Sequence, residues 1–488
     1  MLLDRLLDLL EEKQRIMPED RAYTQNVLLD ALNQDVPPAG ELKGADIAAC
    51  LAELAQWAAA QGRIADTGDE KDRFIARLAG AFTPHPAQVR GEFYQRLAQQ
   101  GPQAATDWFY SLCRDVDYIR AARIAQNIRY TAAAPCGELE ITINLSKPEK
   151  DPRDIAAAKN APQAGYPHCM LCRENPGYAG RAGYPARQNH RIVPLNLAGE
   201  EWYLQYSPYL YYDEHCIVLS GKHEPMRLTR QSFQRLFDFV DRFPHYFLGA
   251  NADLPIVGGS ILTHDHYQGG RHIFPMEKAA ARASFSGPAE ACIVNWPMTC
   301  LRFTSSSREE LTRIGMEVLE AWREYSDPDC AILARTDAPH NTVTPVARRL
   351  EDGRYRLHLV LRNNRVSQEH PLGIFHPHAQ LHHIKKENIG LIEVMGLFIL
   401  PGRLKKELAE LSLFLQGKGG VPAQSAHESW IGEIAARTGT ALSPEEAEET
   451  LRAAVADTCY QVLCDAGVYK QDAAGQAGLG RFLKAVFG

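Results

Sequence analysis

The segment 258–272, reading GGSILTHDHYQGGRH, sets two histidines one residue apart, adds a glutamine two residues on, and places a glycine pair on either side. Such a run makes a poor hydrophobic core and a good phosphate site, because glycine lacks a Cβ, admits close backbone approach and tolerates positive φ. On an extended backbone the alternating histidines are expected to face opposite ways, His266 doing chemistry and His264 held from behind. A neutral imidazole is a competent nucleophile towards phosphorus, and a covalent intermediate divides one hard displacement into two easier ones. His266 is the expected nucleophile, on condition that a backbone carbonyl keeps its far ring nitrogen protonated. Gln268 can donate an amide hydrogen bond to a phosphate oxygen as charge builds there, but it cannot act as an acid or base. That favours handing a phosphoryl group to another phosphate over activating water. A histidine-rich surface turn is the bland alternative, and the glycines and the glutamine weigh against it.

At 488 residues the chain exceeds what one hydrophobic core usually fills, so two or more packed units are expected. A hydrophobic fraction of 45% with 23% charged residues reads as soluble and globular. The formal charge of -7 argues against a dedicated nucleic-acid binder, which would carry a basic stripe, and points to a small partner. Residues 1–5 open an amphipathic pattern with an acid, unlike the basic start and apolar run of a secretory signal. The longest apolar run, 390–400, is too short to span a bilayer and carries Glu393. The expected compartment is the cytoplasm, with no membrane partner. The 11 scattered cysteines fit reduced thiols better than a disulfide framework.

Leu3, Leu6, Leu7 and Leu10 share a helical face, and the spacing recurs at Phe74 with Leu78 and at Val89, Phe93 and Leu97. A helical unit is predicted over 1–130. The period then changes: Leu139, Ile141, Ile143 and Leu145 alternate as a half-buried strand does, and the strand runs into a proline-punctuated loop carrying Lys147 and Lys150. Strands are predicted at 191–195, 203–206 and 215–219, a helix through Phe233 to Val240, and a continuation of the central stretch as a strand over 271–274. A second segment, 291–400, has a helix over 311–322, strands at 330–334 and 355–361, and then His376-Pro377-His378-Ala379-Gln380. This second His-x-His-x-Gln suggests that 131–290 and 291–400 duplicate one α+β unit. The remainder, 401–488, reads helical, with Ser443-Pro444-Glu445-Glu446 as a capping box with proline at the first helical position. The expected fold class is α+β: two units with mixed or antiparallel sheets and packed helices, between helical terminal segments.

Cys169-Met170-Leu171-Cys172 has metal-binding spacing, although such a pair alone is more often two buried thiols. His223, after a strand, and His264 would complete a closed tetrahedral set for a structural zinc behind the nucleophile. No organic cofactor is expected. The second copy, His376 and His378, has three open roles: the nucleophile site, a further metal site with His370, His382 or His383, or a structural remnant. Only the first copy has glycines close on both sides, which ranks it as catalytic. Lys386 is a candidate charged anchor for a sugar phosphate, with a solvated turn as the equal alternative, and Arg271 is a candidate substrate contact.

The run 258–270, with 137–150 (GELEITINLSKPEK) and 376–396 (HPHAQLHHIKKENIGLIEVMG), resembles the second class of galactose-1-phosphate uridylyltransferases, of the histidine-triad superfamily. The resemblance covers nearly the whole chain. It implies two histidine-triad-like units and a ping-pong exchange. UDP-glucose gives its uridylyl group to a histidine, glucose 1-phosphate leaves, and galactose 1-phosphate takes the group to form UDP-galactose. The better-studied first class has His-Pro-His-x-Gln where this chain has His264-Asp265-His266-Tyr267-Gln268. By that match His266 is the nucleophile and Gln268 contacts the transferred phosphate, while His264 binds zinc with Cys169, Cys172 and His223. Asn251 matches a phosphate contact, and Ser260 lies one position from a serine with the same role. The chain departs from the pattern in Asp265, where the first class has proline, and in Lys147 and Lys150, where it has arginines. The resemblance also implies a homodimer. Two other readings compete: another histidine-triad nucleotidyltransferase or phosphorylase, and a zinc-stabilised nucleotide-binding protein without turnover.

Overall fold

The computed structural model describes residues 1–146, 165–259, 261–287, 289–421 and 425–488. By contact the chain divides into two compact units, Met1–Gln126 with Ser146–Glu224, and Asn127–Leu145 with Pro225–Gly488.

The first unit begins with helices Asp4–Glu12, Arg21–Leu32, Ile47–Ala60, Gly68–Gly80, Pro86–Gln100 and Pro102–Asp115. The leucine stripe behaves as its spacing requires, with Leu3, Leu6, Leu7 and Leu10 fully buried. Local chemistry starts these helices: Asp46 accepts from the Ala49 amide at 2.8 Å, and prolines open Pro86–Gln100 and Pro102–Asp115. Strands Val193–Leu197, Glu200–Tyr206 and Cys216–Ser220 follow as an antiparallel run in which Val193 faces Leu204 and Trp202 faces Ser220. Two hydroxyls tie the helices to these strands, Tyr94 donating to the Pro194 carbonyl at 2.6 Å and Tyr206 to that of Thr106 at 3.0 Å.

In the second unit seven strands lie antiparallel in the order His266–Gly270, Phe247–Gly249, Asn341–Arg349, Tyr355–Asn363, Cys300–Ser305, Glu290–Val294, Ala281–Ser284. Helices Arg230–Arg242 and Arg308–Glu324 pack on Asn341–Arg349 and on each other. Their approach is close enough to require Gly315, since a Cβ there would lie 2.6 Å from the Phe233 ring. A separate sheet pairs the hairpin Ile128–Ala134 and Gly137–Asn144 with Leu397–Pro401, the last strand running parallel. Helices Leu404–Leu415, Glu428–Thr438 and Pro444–Ala466 enclose Leu411, Leu415, Ile431, Ile434 and Leu451. The capping box forms as read: Ser443 N donates to Glu446 Oε2 at 2.8 Å and Glu446 N to Ser443 Oγ at 3.2 Å.

The architecture is α+β with antiparallel and mixed sheets. Three local expectations fail. The strand expected at 330–334 is the 3-10 turn Pro328–Cys330, because Pro328 opens it and Ala331 takes a left-handed φ of 58°. The central strand does not continue over 271–274; it ends at Gly270, whose φ of 145° turns the chain towards the helix Pro275–Lys278. The parallel strand Leu397–Pro401 was read as the tail of an apolar run, since its partner lies far away in sequence. Among the described residues no helix is long and apolar enough to cross a membrane.

Candidate active site and thiol cluster

In the second unit, strand His266–Gly270 is held by Phe247–Gly249, with Gln268 opposite Gly249 and Phe247 opposite Gly270. His266 is its first residue and is 6% exposed. Its Nδ1 lies 2.9 Å from the backbone carbonyl of His264. A carbonyl only accepts, so Nδ1 carries the proton and Nε2 keeps its lone pair. Among the described residues no partner is found for that Nε2. Burial pushes the imidazole down to about 4, which keeps the ring neutral near pH 7.

The expectation that the two histidines use opposite faces of one strand is corrected. Positions two apart share a face in a regular strand, and here His264 is not on the strand at all. It sits, 1% exposed, in a bend that ends before His266. The bend, and not strand alternation, separates the two rings and brings the His264 carbonyl under His266 Nδ1. Gln268, two residues on, shares the His266 face and is half-buried. On the other side Arg235, from helix Arg230–Arg242, reaches Asp265 Oδ2 at 3.5 Å and the Tyr267 hydroxyl at 3.4 Å.

The first glycine pair supplies room. A Cβ on Gly259 would lie 2.7 Å from Asn251 Nδ2, and one on Gly258 would lie 2.5 Å from the Ala252 carbonyl. Asn251 is buried, and its Oδ1 accepts from the Leu391 amide at 2.9 Å. Lys386 is exposed, whereas its neighbour Lys385 is buried with Nζ 3.0 Å from Glu393 Oε1. Arg271 is half-buried just past the strand. Ser260, Lys147 and Lys150 lie outside the described residues.

In the first unit Cys169 and Cys172 bring their sulfurs to 3.7 Å, and His223 Nδ1 lies 3.2 Å from Cys172 Sγ. Asn175 fixes this turn by donating from Nδ2 to the carbonyls of Cys169 at 2.9 Å and Cys172 at 2.7 Å. The Leu171 amide points at Cys169 Sγ, 3.4 Å away. Burial, with the Cys172 thiol beside it, raises Cys169 to about 11, so this thiol keeps a proton that binding of a divalent cation would displace. Thiolates and imidazole are the donor set zinc prefers. These residues form a cysteine and histidine cluster able to hold a metal ion.

The second copy is placed differently. His376 has Nδ1 3.1 Å from the Pro377 carbonyl and Nε2 3.3 Å from Asn388 Oδ1. His378 has Nε2 3.0 Å from the Ile374 carbonyl and Nδ1 3.4 Å from Asp465 Oδ2, and its ring stacks on His370 at 4.0 Å. Sequence reasoning missed Arg235, Asn175 and the hydrogen bond of His272 Nε2 to Glu140 Oε2 at 2.8 Å. Only Asn175, three residues past Cys172, left a local signal.

Two family models match, the N-terminal domain of galactose-1-phosphate uridyl transferase over residues 14–225 and its C-terminal domain over 239–416. A galactose-1-phosphate uridylyltransferase of Caldanaerobacter subterraneus subsp. tengcongensis is 45% identical, over 99% of this chain and 97% of its own. One of Bacillus subtilis is 46% identical over 99% and 96%, and galactose-1-phosphate uridylyltransferase 2 of Streptococcus pneumoniae serotype 4 is 49% identical over 89% and 88%. Since both domain models and relatives of nearly the same length agree across it, the chain belongs to the galactose-1-phosphate uridylyltransferase family and is a nucleotidyltransferase.

Proposed function

We propose that the chain exchanges a uridylyl group between UDP-glucose and galactose 1-phosphate, through a covalent intermediate on His266. The observation that carries this reading is the His264 carbonyl 2.9 Å from His266 Nδ1, which leaves Nε2 as the nucleophilic atom. Nε2 attacks the uridylyl phosphorus of UDP-glucose, and the bond to the departing oxygen breaks, releasing glucose 1-phosphate. The ring then bears a positive charge, which the Nδ1 proton shares with the carbonyl. A phosphate oxygen of galactose 1-phosphate attacks the same phosphorus from the vacated side, the N–P bond breaks, and UDP-galactose leaves with His266 neutral again. No step needs water, and the amide of Gln268 supports the charge that builds on the non-bridging oxygens.

Asn251, Arg271 and Lys386 are assigned to substrate binding, as are Ser260, Lys147 and Lys150 on sequence alone. His264 is assigned as the fourth ligand to Cys169, Cys172 and His223, around a structural zinc. When bound, that ion would neutralise the thiolates and tie the Cys169 turn in place. A cytoplasmic homodimer that uses no organic cofactor and binds neither nucleic acid nor membrane completes the reading. The motifs at 264–268 and 376–380 support a duplicated pair, 131–290 and 291–400, between helical segments 1–130 and 401–488.

The test is incubation with UDP-glucose labelled in the uridylyl phosphate. The expected result is an acid-labile, base-stable adduct on the wild type and none on His266→Ala. No label on the wild type, or undiminished label on the variant, would sink the mechanism. Elemental analysis is expected to find about one zinc per chain, lost in Cys172→Ser.

A further inference from the structure

A pair of imidazoles in the second unit takes no part in the transfer. His383 follows the turn Ala379–Leu381, and His427 precedes helix Glu428–Thr438. Their ring centroids are 5.2 Å apart and the rings are perpendicular. Each has one nitrogen committed to an oxygen. His383 Nδ1 lies 2.9 Å from the Gln380 carbonyl, so Nδ1 donates and Nε2 keeps a lone pair. His427 Nε2 lies 2.9 Å from Glu407 Oε2, which leaves the lone pair on Nδ1 of the neutral ring. Both remaining nitrogens, His383 Nε2 and His427 Nδ1, are buried with no hydrogen-bond partner among the described residues, and His427 is only 2% exposed.

Buried acceptors left unpaired are costly, and two of them on rings 5.2 Å apart call for a shared explanation. A far N–H donated to a carbonyl or carboxylate, with the near nitrogen bare, is how proteins orient histidines that bind metal. Two imidazoles on one tetrahedral ion, at N–metal distances of about 2.0–2.1 Å, have centroids roughly 5 Å apart, in agreement with the spacing here. Trp430 packs against both rings, at 5.0 and 5.8 Å. A cavity of about 1280 Å³, lined in part by His383, Gln380 and Trp430, can supply water to the remaining positions. Arg403 lies close but is paired with Glu407 at 2.5 Å. His358 Nδ1, another buried nitrogen for which no partner is found among the described residues, differs in kind: its Nε2 accepts from Arg302 at 2.9 Å, so Nδ1 carries the proton of the ring and offers no lone pair to an ion.

We propose that His383 Nε2 and His427 Nδ1 form a second metal site, for a divalent transition ion of the zinc class, which ties the turn after the second His-x-His motif to the C-terminal helices. The site is separate from the cysteine cluster and from the transfer chemistry.

The test titrates the full chain, already loaded with zinc, with cobalt(II). One additional cobalt per chain is expected, with visible d–d bands and no thiolate-to-cobalt charge transfer. His383→Gln and His427→Gln should each weaken uptake about 100-fold, and Glu407→Gln about 10-fold, the range seen when ligands or their orienting partners are removed. Transferase activity should be unchanged in His383→Gln. No additional ion, uptake undiminished in His383→Gln, or a thiolate band on the additional ion would overturn the proposal. Should His427→Gln fail to fold, imidazole nitrogen resonances of the wild type decide: the ion must shift those of His383 Nε2 and His427 Nδ1, and unshifted resonances refute the site.

Discussion

The chain contains His-x-His-x-Gln twice, at 264–268 and at 376–380, and the two copies differ in what surrounds their ring nitrogens. In the first, His266 has one ring nitrogen committed and the other without a partner among the described residues. In the second, both nitrogens of His376 and both of His378 face oxygens of the surrounding turn and of Asp465. An imidazole with both nitrogens facing protein groups can hold a loop together, but neither nitrogen is left open for an attack on phosphorus. The number of committed nitrogens, and not the motif, distinguishes the two copies, and it is the reason His266 is the proposed nucleophile.

The comparison can be broken most sharply by paired substitution. His266→Ala should lower kcat roughly 10⁶-fold, as loss of a covalent nucleophile does in other enzymes, while His378→Ala stays within about 10-fold. Equal losses in steady-state turnover would mean that the second copy shares the chemistry. Next in size, Gln268→Ala should cost about 10²–10³ in kcat, with the exposed Gln380→Ala unchanged. A smaller effect is expected at Arg235, whose loss leaves Asp265 and Tyr267 without their shared partner. Arg235→Met should cost about 1–3 kcal/mol by denaturant unfolding, and a neutral result would show that the bend at His264 holds without it. Smallest is Asn175→Ala, expected at about 1 kcal/mol, because the carbonyls of Cys169 and Cys172 each lose one donor while keeping the Tyr184 hydroxyl and the residue-175 backbone amide respectively. An unchanged melting temperature would detach Asn175 from the cluster.

Arg235 also bears on the departure at Asp265. Where the first class has proline between the histidines, this chain has a residue whose backbone is not restrained by a ring. The contact from Arg235 to Asp265 and Tyr267 restrains the segment from outside instead. A side-chain clamp from a helix some 30 residues upstream leaves no mark in the motif itself.

Much of the architecture was legible because it is written in short-range patterns. The leucine spacing of the first helix, the alternation through Leu139, Ile141 and Ile143, and the capping box at Ser443 each involve residues within a few positions of one another. The failures have the opposite character. The strand expected at 330–334 gave way to a turn set by Pro328 and a left-handed Ala331, and Leu397–Pro401 became a strand only through pairing with Gly137–Asn144. Within the candidate site, His266 and Gln268 could be picked out by residue type and spacing. Asn251 is named by resemblance alone, and its contact with the Leu391 amide, 140 residues away, leaves no mark in the local sequence.

By itself the sequence determined which groups are present and in what local order: a nucleophile candidate, an amide two residues on, glycines where backbone must come close, and a thiol pair at ligand spacing. The tertiary structure decided which atoms of those groups remain available. A bend put the His264 carbonyl under His266 Nδ1, Asn251 made a side chain at Gly259 untenable, and Asp465 occupied His378. The physical reason is that hydrogen bonding saturates atom by atom. The partners that saturate a ring nitrogen can come from anywhere in the chain, so composition and spacing name the ring while only packing settles its free face.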